Sequence, residues 1–349
     1  MAELPLRRRL PGPARRVSMR VVADAAGVSP QTVSKVVNHK LGVSAAVRDR
    51  ITRIMQDLNY QPNVGARWLR TGVAASIGLI NGEQPKYGQA GVVYGVERAA
   101  RQAGYYSTVA GIADVSGTTL QEAVDRLISL SVAGIIINFP VPTGSRVFDD
   151  LVVDVPVVGI WVPVESPFPV ATCDHFSGAR VATEHLLRLG HKTVYHVAGQ
   201  AGQSGTDERV AGWRSALEGS GARVPEFHHG DWTARSGYQL GAALVADPEV
   251  TAVFAANDAT ALGLMTRLRE AGREVPRDVS VVGYDDIPEA EFFSPHLTTI
   301  RQDFLELGAR GFALLDEQIM GQDTPTTPRS APAQLIVRAS TAPPGAAVG

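Results

Sequence analysis

Cysteine is nearly absent from this sequence. Cys173 is the single thiol in 349 residues, so no disulfide closes within the chain and a cysteine-built metal site is implausible. That usage fits a reducing cytoplasm. Long apolar runs are missing too: nothing reaches the ~18 consecutive apolar residues of a membrane-spanning helix. The N-terminus carries Arg7, Arg8 and Arg9, then Pro11, Gly12 and Pro13, with no apolar stretch behind them. This is not the pattern of a secretory signal peptide. Residues 1–16 read as a disordered basic arm, which either touches DNA or is an inert tail.

The signatures of common chemistries are also lacking. No G-x-G-x-x-G follows a strand-like run, and no Walker-type loop occurs. The eight histidines, His196 and the pair His228-His229 among them, lack metal-ligand spacing. His185 and His191 read as capping contacts at a helix end. Ser204 has no histidine and aspartate partners that the sequence identifies. An enzyme, a bound metal or a cofactor is therefore not expected.

Acidic residues are scarce in one region only. From Arg7 to Arg70 the acids are Asp24, Asp49 and Asp57, whereas the whole chain has a net charge of -2. A basic head is thus joined to an acidic body. Neutralising phosphates takes cations gathered in one place, so this asymmetry points to a DNA-binding head. The remaining composition is that of a globular protein, 44% hydrophobic and 19% charged, and the length suits two or three domains.

Four short helices are expected across residues 18–70. Ser18 can cap the first, whose apolar face is Met19, Val22, Ala23 and Ala26, and Gly27 stops it. Ser29 caps the second, with Pro30 in its first turn and Val33, Val36 and Val37 on its apolar side. Ser44 caps a third, Ala45 to Leu58, and Pro62 breaks the chain before a short segment from Asn63 to Arg70. Two helices that cross closely need a small residue at the contact, a glycine at the turn and branched side chains behind the second helix. Ala23, Gly27 and the group Val28, Val33 and Val36 fit a helix-turn-helix. Its second helix would present Gln31 and Lys35, four apart and on one face. Glutamine pairs with adenine and lysine with guanine in the major groove. Ser29, Thr32, Ser34, Asn38 and Ser44 are short polar groups suited to phosphate contacts. The competing reading is an ordinary helical hairpin with a polar face.

From Ala74 the texture changes. Apolar, β-branched runs alternate with amphipathic stretches: Ser76–Ile80 then Gly91–Ala103, Tyr106–Ala110 then Leu120–Leu130, Gly134–Asn138 and Val157–Ile160. A second series comprises Gly178–Leu189, Thr193–Ala198, Arg209–Ser220, Gly237–Ala246, Ala252–Ala255, Ala259–Ala271 and Val279–Gly283. Two such series predict two doubly wound α/β lobes with parallel sheets. Ligands of such proteins bind beyond the carboxyl ends of the strands. Arg209, Trp232, Asn257 and Asp285 lie there, an arginine fork, an aromatic face, an amide and a carboxylate that together suit a sugar. Trp232 reads equally as a packing residue of a lid, and Asp258 is expected to cap the helix from Ala259.

Ser29-Pro30-Gln31-Thr32-Val33-Ser34-Lys35-Val36-Val37-Asn38, then Val43-Ser44, then Leu58-Asn59-Tyr60-Gln61-Pro62-Asn63 closely resemble the head of the lac-repressor (LacI/GalR) family. The likeness runs from about Ser18 to Thr341 and includes Gly230-Asp231-Trp232, Ala256-Asn257-Asp258, Val281–Asp286 and Thr298–Phe304. It implies an all-α helix-turn-helix head with a hinge helix, followed by a two-lobed core like that of periplasmic binding proteins. It also implies a homodimer on a pseudo-palindromic double-stranded DNA operator. Ala66 would approach the minor groove and Leu69 would wedge between base pairs, with Asn63 on phosphate; the alternative is a plain linker. The family's effector residues map onto Arg209, Trp232, Asn257 and Asp285, with Gln302 and Phe304 nearby. Two departures stand out. Where members that bind lactose-type galactosides offer an aspartate, this chain has Trp161, which can stack on a sugar or a nucleoside. Pro30 stands where a tyrosine reads the lac operator, so base readout by Pro30, Gln31 and Lys35 would select another sequence.

The implied division is 1–16 arm, 17–62 head, 63–72 hinge, 73–341 core and 342–349 disordered tail. Within the core, the N-lobe takes 73–173 and 303–328, and the C-lobe takes 174–302 and 329–341. Function is expected to be repression of carbohydrate-utilisation genes, released by a small effector, a sugar first. Alternatives are a corepressor of nucleoside type and a sugar-binding transport protein. Pro343-Pro344 replaces the extra helical segment that makes lac tetramers, so a dimer is expected.

Overall fold

Ser18 sets the start of the first helix. Its hydroxyl accepts the Val21 amide at 3.4 Å, and α1 (Met19–Ala26) follows. Gly27 ends it in the left-handed region at φ 62°, which costs glycine little. The computed structural model describes residues 17–37, 42–58, 60, 76–82, 87–324 and 327–345. The chain divides into two units, Met1–Val73 and Ala74–Gly349.

In the first unit the Ser29 hydroxyl accepts the Thr32 amide at 3.2 Å and opens α2 (Pro30–Val37). The third helix, α3 (Ala45–Asp57), begins after Ser44, whose side chain makes no capping bond. Val22, Ala23, Ala26, Val33, Val36, Ile51 and Tyr60 form the core of this unit, so the small residue, the glycine turn and the valines occupy the expected places.

The second unit holds two six-stranded sheets. The first-lobe sheet contains β1 (Ser76–Gly82), β2 (Tyr106–Ile112), β3 (Ile135–Asn138), β4 (Val157–Ile160) and β5 (Val170–Cys173). Later in the chain β11 (Arg329–Ala331) completes it, in the order β11-β5-β4-β3-β1-β2 with every pairing parallel. Its strands alternate faces. Ile77, Leu79 and Ile136 pack under α4 (Tyr87–Gln102) and α10 (Phe304–Ile319), while Ile80, Ile135 and Ile137 pack under α5 (Gly117–Ser129). Burial on both sides is why these strands read as unbroken apolar runs.

The second-lobe sheet contains β6 (Tyr195–Ala198), β7 (His228–His229), β8 (Ala252–Ala255), β9 (Ser280–Asp285), β10 (Thr298–Gln302) and β12 (Ala333–Ile336). Their order is β12-β10-β9-β8-β6-β7, and only β12 runs antiparallel to its neighbour. Helices α6 (His175–Arg188) and α7 (Ser204–Gly219) cover one face, and α8 (Ala234–Ala246) and α9 (Asp258–Glu270) cover the other. The chain crosses between lobes three times, at 173–175, 302–304 and 331–333.

Several expectations need correction. Residues 329–341 do not all belong to the second lobe: Arg329–Ala331 pairs with Ala171–Cys173 of the first. The last crossover therefore falls at residue 332, inside one short extended stretch whose uniform texture hides the change of sheet. The tail does not loosen at 342 either, because the Ala342 amide and carbonyl both bond the Ser280 hydroxyl at 3.0 Å. His185 and His191 do not cap a helix. They bond Thr341 at 3.0 Å and the Ala342 carbonyl at 3.1 Å, tying down residues 341 and 342. Helices α4, α6 and α7 start three to five residues before the expected Gly91, Gly178 and Arg209. Their first turns are polar or glycine-rich and carry no apolar period, because those turns line a cavity.

Cys173 is buried, and burial pushes its thiol up to about 12, so it is inert at neutral pH. Among the described residues no helix is long and apolar enough to cross a membrane, and no group of three metal-ligating side chains converges.

Candidate functional site

In the head, Pro30, Gln31, Lys35 and Ser44 are exposed. Gln31 and Lys35 stand on the outer face of α2, opposite the valines. Ser29 and Thr32 bond each other at 3.0 Å beside the helix start. Ser34 departs from expectation. It is only 8% exposed and belongs to the packed side of α2, because its neighbour Val33 and nearby Val36 turn that side inward. Asn38, Asn63, Ala66 and Leu69 lie outside the described residues, as do the arm 1–16 and the whole of the hinge 63–72.

The second unit encloses a cavity of about 340 Å³ between its lobes. Its walls are strand ends and helix starts, where a parallel α/β sheet presents free backbone N–H groups. Trp161 follows β4, Arg209 lies in the second turn of α7, Trp232 precedes α8, Asn257 caps α9, Asp285 ends β9 and Phe304 opens α10. All six line the cavity. Gln302 does not: it stands behind the wall and donates its Nε2 to Asp285 Oδ1 at 2.7 Å.

Arg209 is the electrostatic centre. It is 5% exposed, and its guanidinium carbon lies 3.8 Å from the centre of the Tyr284 ring and 5.0 Å from that of Trp232. Nη1 donates to the Ala256 carbonyl, Nη2 to His175 Nδ1 at 3.4 Å, and Nη2 lies 3.8 Å from Asp285 Oδ1. Nε is buried with no partner among the described residues. Burial, then the Arg209 charge, hold His175 well below the ordinary imidazole range, so it is neutral. A guanidinium only donates, so Nδ1 accepts and the proton of His175 sits on Nε2. Asp285 thus offsets the Arg209 charge within the wall.

Asp258 is not the cap of α9. Asn257 is, its Oδ1 accepting the Thr260 amide at 2.8 Å while its Nδ2 donates to the Trp232 carbonyl at 3.1 Å. Asp258 is fully buried instead and accepts the Thr299 hydroxyl at 2.5 Å and the Ile287 amide at 2.8 Å. Burial, then the nearby Asp285 charge, push its carboxyl up to about 8.

The aromatic faces are held firmly. Trp161 stacks on His175 with ring centres 5.9 Å apart at 26°, and Phe304 meets Tyr87 edge-on at 5.8 Å. The Trp161 Nε1 is buried with no partner among the described residues. Trp161, Trp232 and Asp285 have positive φ, at 66°, 70° and 108°. Such conformations cost roughly 1–3 kcal/mol each and persist where the surroundings enforce them, commonly at functional sites.

Sequence reasoning missed Tyr87, Gln89, His175 and Gln203 in the wall. His175 and Gln203 could have been found, since each stands at a helix start after a strand, the rule that located Asn257. Tyr87 and Gln89 had no such signal, because the start of α4 was placed too late.

Comparison with known proteins agrees with this geometry. A model of bacterial regulatory proteins of the lacI family matches residues 18–63, and one of a periplasmic binding protein-like domain matches residues 183–341. The lactose operon repressor of Escherichia coli (strain K12) is 34% identical over 331 residues, 94% of this chain and 91% of its own. The structure of a lac repressor dimer bound to operator and the anti-inducer ONPF gives a TM-score of 0.84 at 33% identity, covering 94% of this chain and 100% of that one. The complex of the regulator CelR with cellobiose gives 0.69 at 30% identity, covering 93% and 100%. Sequence and fold thus match along nearly the whole length, and the chain belongs to the lacI family of bacterial regulatory proteins.

Proposed function

We propose that this protein is a DNA-binding transcriptional repressor whose grip on its operator is weakened by an uncharged sugar bound in the interlobe cavity. The observation that carries this reading is the wall itself. Arg209, Asp285 and Asn257 supply a charge-balanced set of donors and acceptors for hydroxyls, and Trp161, Trp232 and Phe304 supply ring faces. Relatives described as a lactose operon repressor, an operator-bound dimer and a cellobiose complex support it.

In this reading residues 17–62 are the head, 63–72 the hinge and 73–341 the effector-binding and dimerising core. Two heads of a cytoplasmic homodimer enter adjacent major-groove half-sites. Pro30, Gln31 and Lys35 meet bases, and Ser29, Thr32 and Ser44 face phosphates. Asn63 faces phosphate as well, and Ala66 and Leu69 act at the minor groove. The ligand lowers operator affinity only by preferring the low-affinity arrangement of the dimer.

A nucleoside is the second reading, and Trp161 favours it: its indole, stacked on neutral His175, suits a flat ring. Thermal-shift screening against sugars and nucleosides separates the two, and a gel shift on a duplex enriched from random DNA tests the repressor. Failure to retain any duplex under any ligand condition would contradict the assignment.

A further inference from the structure

The wall of the cavity is continuous with a strap between the lobes. Pro142, in the loop after β3, forms an isolated antiparallel bridge with Gln203. Beside it the Thr143 amide donates to the Gly202 carbonyl at 2.7 Å, and the Thr143 hydroxyl donates to Asp207 at 3.1 Å. Pro142 and Thr143 belong to the first lobe. Gly202, Gln203 and Asp207 belong to the second.

On each side the strap leads to a tryptophan of the cavity. In the first lobe the Val141 amide donates to the Trp161 carbonyl at 3.3 Å. In the second, Gln203 Oε1 accepts Trp232 Nε1 at 2.9 Å. The Trp232 ring lies so close over Gly199 that any Cβ there would overlap it. Trp232 and the loop from Gly199 to Gln203 are therefore one packed body. The Gln203 carbonyl also accepts the Thr206 and Asp207 amides at 2.9 and 3.0 Å, opening the helix that carries Arg209.

We propose that Gln203 is a positioning residue that couples ligand contact at Trp232 to closure of the two lobes, through the strap it shares with Pro142 and Thr143. This rests on the cavity being the ligand site. The strap bonds exist only when the lobes are together, so a ligand that favours closure binds more tightly because of them. By linkage, removing the strap bond of Thr143, which lies outside the cavity lining, weakens such a ligand without touching it.

The test combines amide exchange over the peptide 140–146 with calorimetry on the full-length chain. The probes are cellobiose, ribose and adenosine. The variants are Thr143→Val, Gln203→Leu and Gln203→Glu, the last retaining the Oε1 acceptor. Without any probe, exchange at residue 143 is about fivefold faster in Gln203→Leu than in the wild type, the change expected for one lost hydrogen bond. Gln203→Glu restores it. The probe that binds the wild type binds about fivefold more weakly to Thr143→Val, with Trp232 emission unaltered. It binds more weakly still to Gln203→Leu, with emission shifted. Unchanged exchange in Gln203→Leu overturns the proposal, whether or not a probe binds. A wild type that binds no probe overturns the cavity reading. A wild type that binds one, with equal affinity in Thr143→Val and Gln203→Leu, overturns the coupling alone.

Discussion

Gln302 donates to Asp285 at 2.7 Å from behind the cavity wall. Asp285 holds a strained φ of 108° and balances Arg209 across 3.8 Å. Gln302 therefore fixes the Asp285 carboxylate from outside the cavity lining. Gln302→Leu should weaken ligand binding about tenfold, the loss of one hydrogen bond to a charged group. Calorimetry checks this. Thermal stability without ligand should change little by comparison, and unaltered affinity would remove Gln302 from the site.

By the resemblance drawn from the sequence, Trp161 stands where galactoside-binding members would offer an aspartate. Its φ of 66° suits aspartate better than an indole. Trp161→Asp should therefore fold, lose affinity for flat-ring ligands and gain a thermal shift with galactosides. A variant whose ligand preference matches the wild type would show that this residue does not select the ligand.

Asp258 makes stability depend on pH in a defined direction. Its folded pKa of about 8 lies above the ordinary value of 3.8, so the native state binds the extra proton. Stability is then highest below the ordinary value and falls as pH rises through the folded one. Glu208, pushed up to about 7 by burial, acts in the same direction. Buried His175 and His196 act the opposite way but only below about 6.5. Urea unfolding between pH 7 and 8 isolates the carboxyls. Asp258→Asn should flatten the decline there, while an unchanged slope would assign it elsewhere.

Helices α4 and α10 touch through glycines. A Cβ on Gly95 would overlap the Leu305 backbone, and one on Gly308 would overlap the Val92 carbonyl. These contacts seat Phe304 against Gly88 and Gly91. Gly95→Ala should destabilise the core by about 1–3 kcal/mol through overpacking, despite alanine's better helix propensity. Denaturant titration measures it, and a stabilised variant would contradict the packing.

Much of the fold was legible because burial leaves a pattern. Ile135-Ile136-Ile137 read as a strand covered on both faces, and Ala23, Gly27 and Val33 read as a tight helix pair. Of the cavity, Arg209, Trp232, Asn257 and Asp285 were legible as polar or aromatic residues beyond the carboxyl ends of strands. Gln302 was placed one layer too near, since sequence position does not tell a wall from its support. His175 and Gln203 were passed over because they begin helices whose first turns carry no apolar period. The sheet change at residue 332 left no trace, since both strands around it are short and half-buried.

The central claim is that one cavity controls DNA binding made elsewhere in the chain. Trp232→Ala removes an aromatic face and leaves the head intact. The decisive measurement is fluorescence anisotropy of an enriched duplex with wild type and Trp232→Ala, each with and without the sugar that most stabilises the wild type. Equal affinity of both proteins without sugar, and release by sugar of the wild type alone, is the expected outcome. Release of both by the same sugar concentration would contradict it.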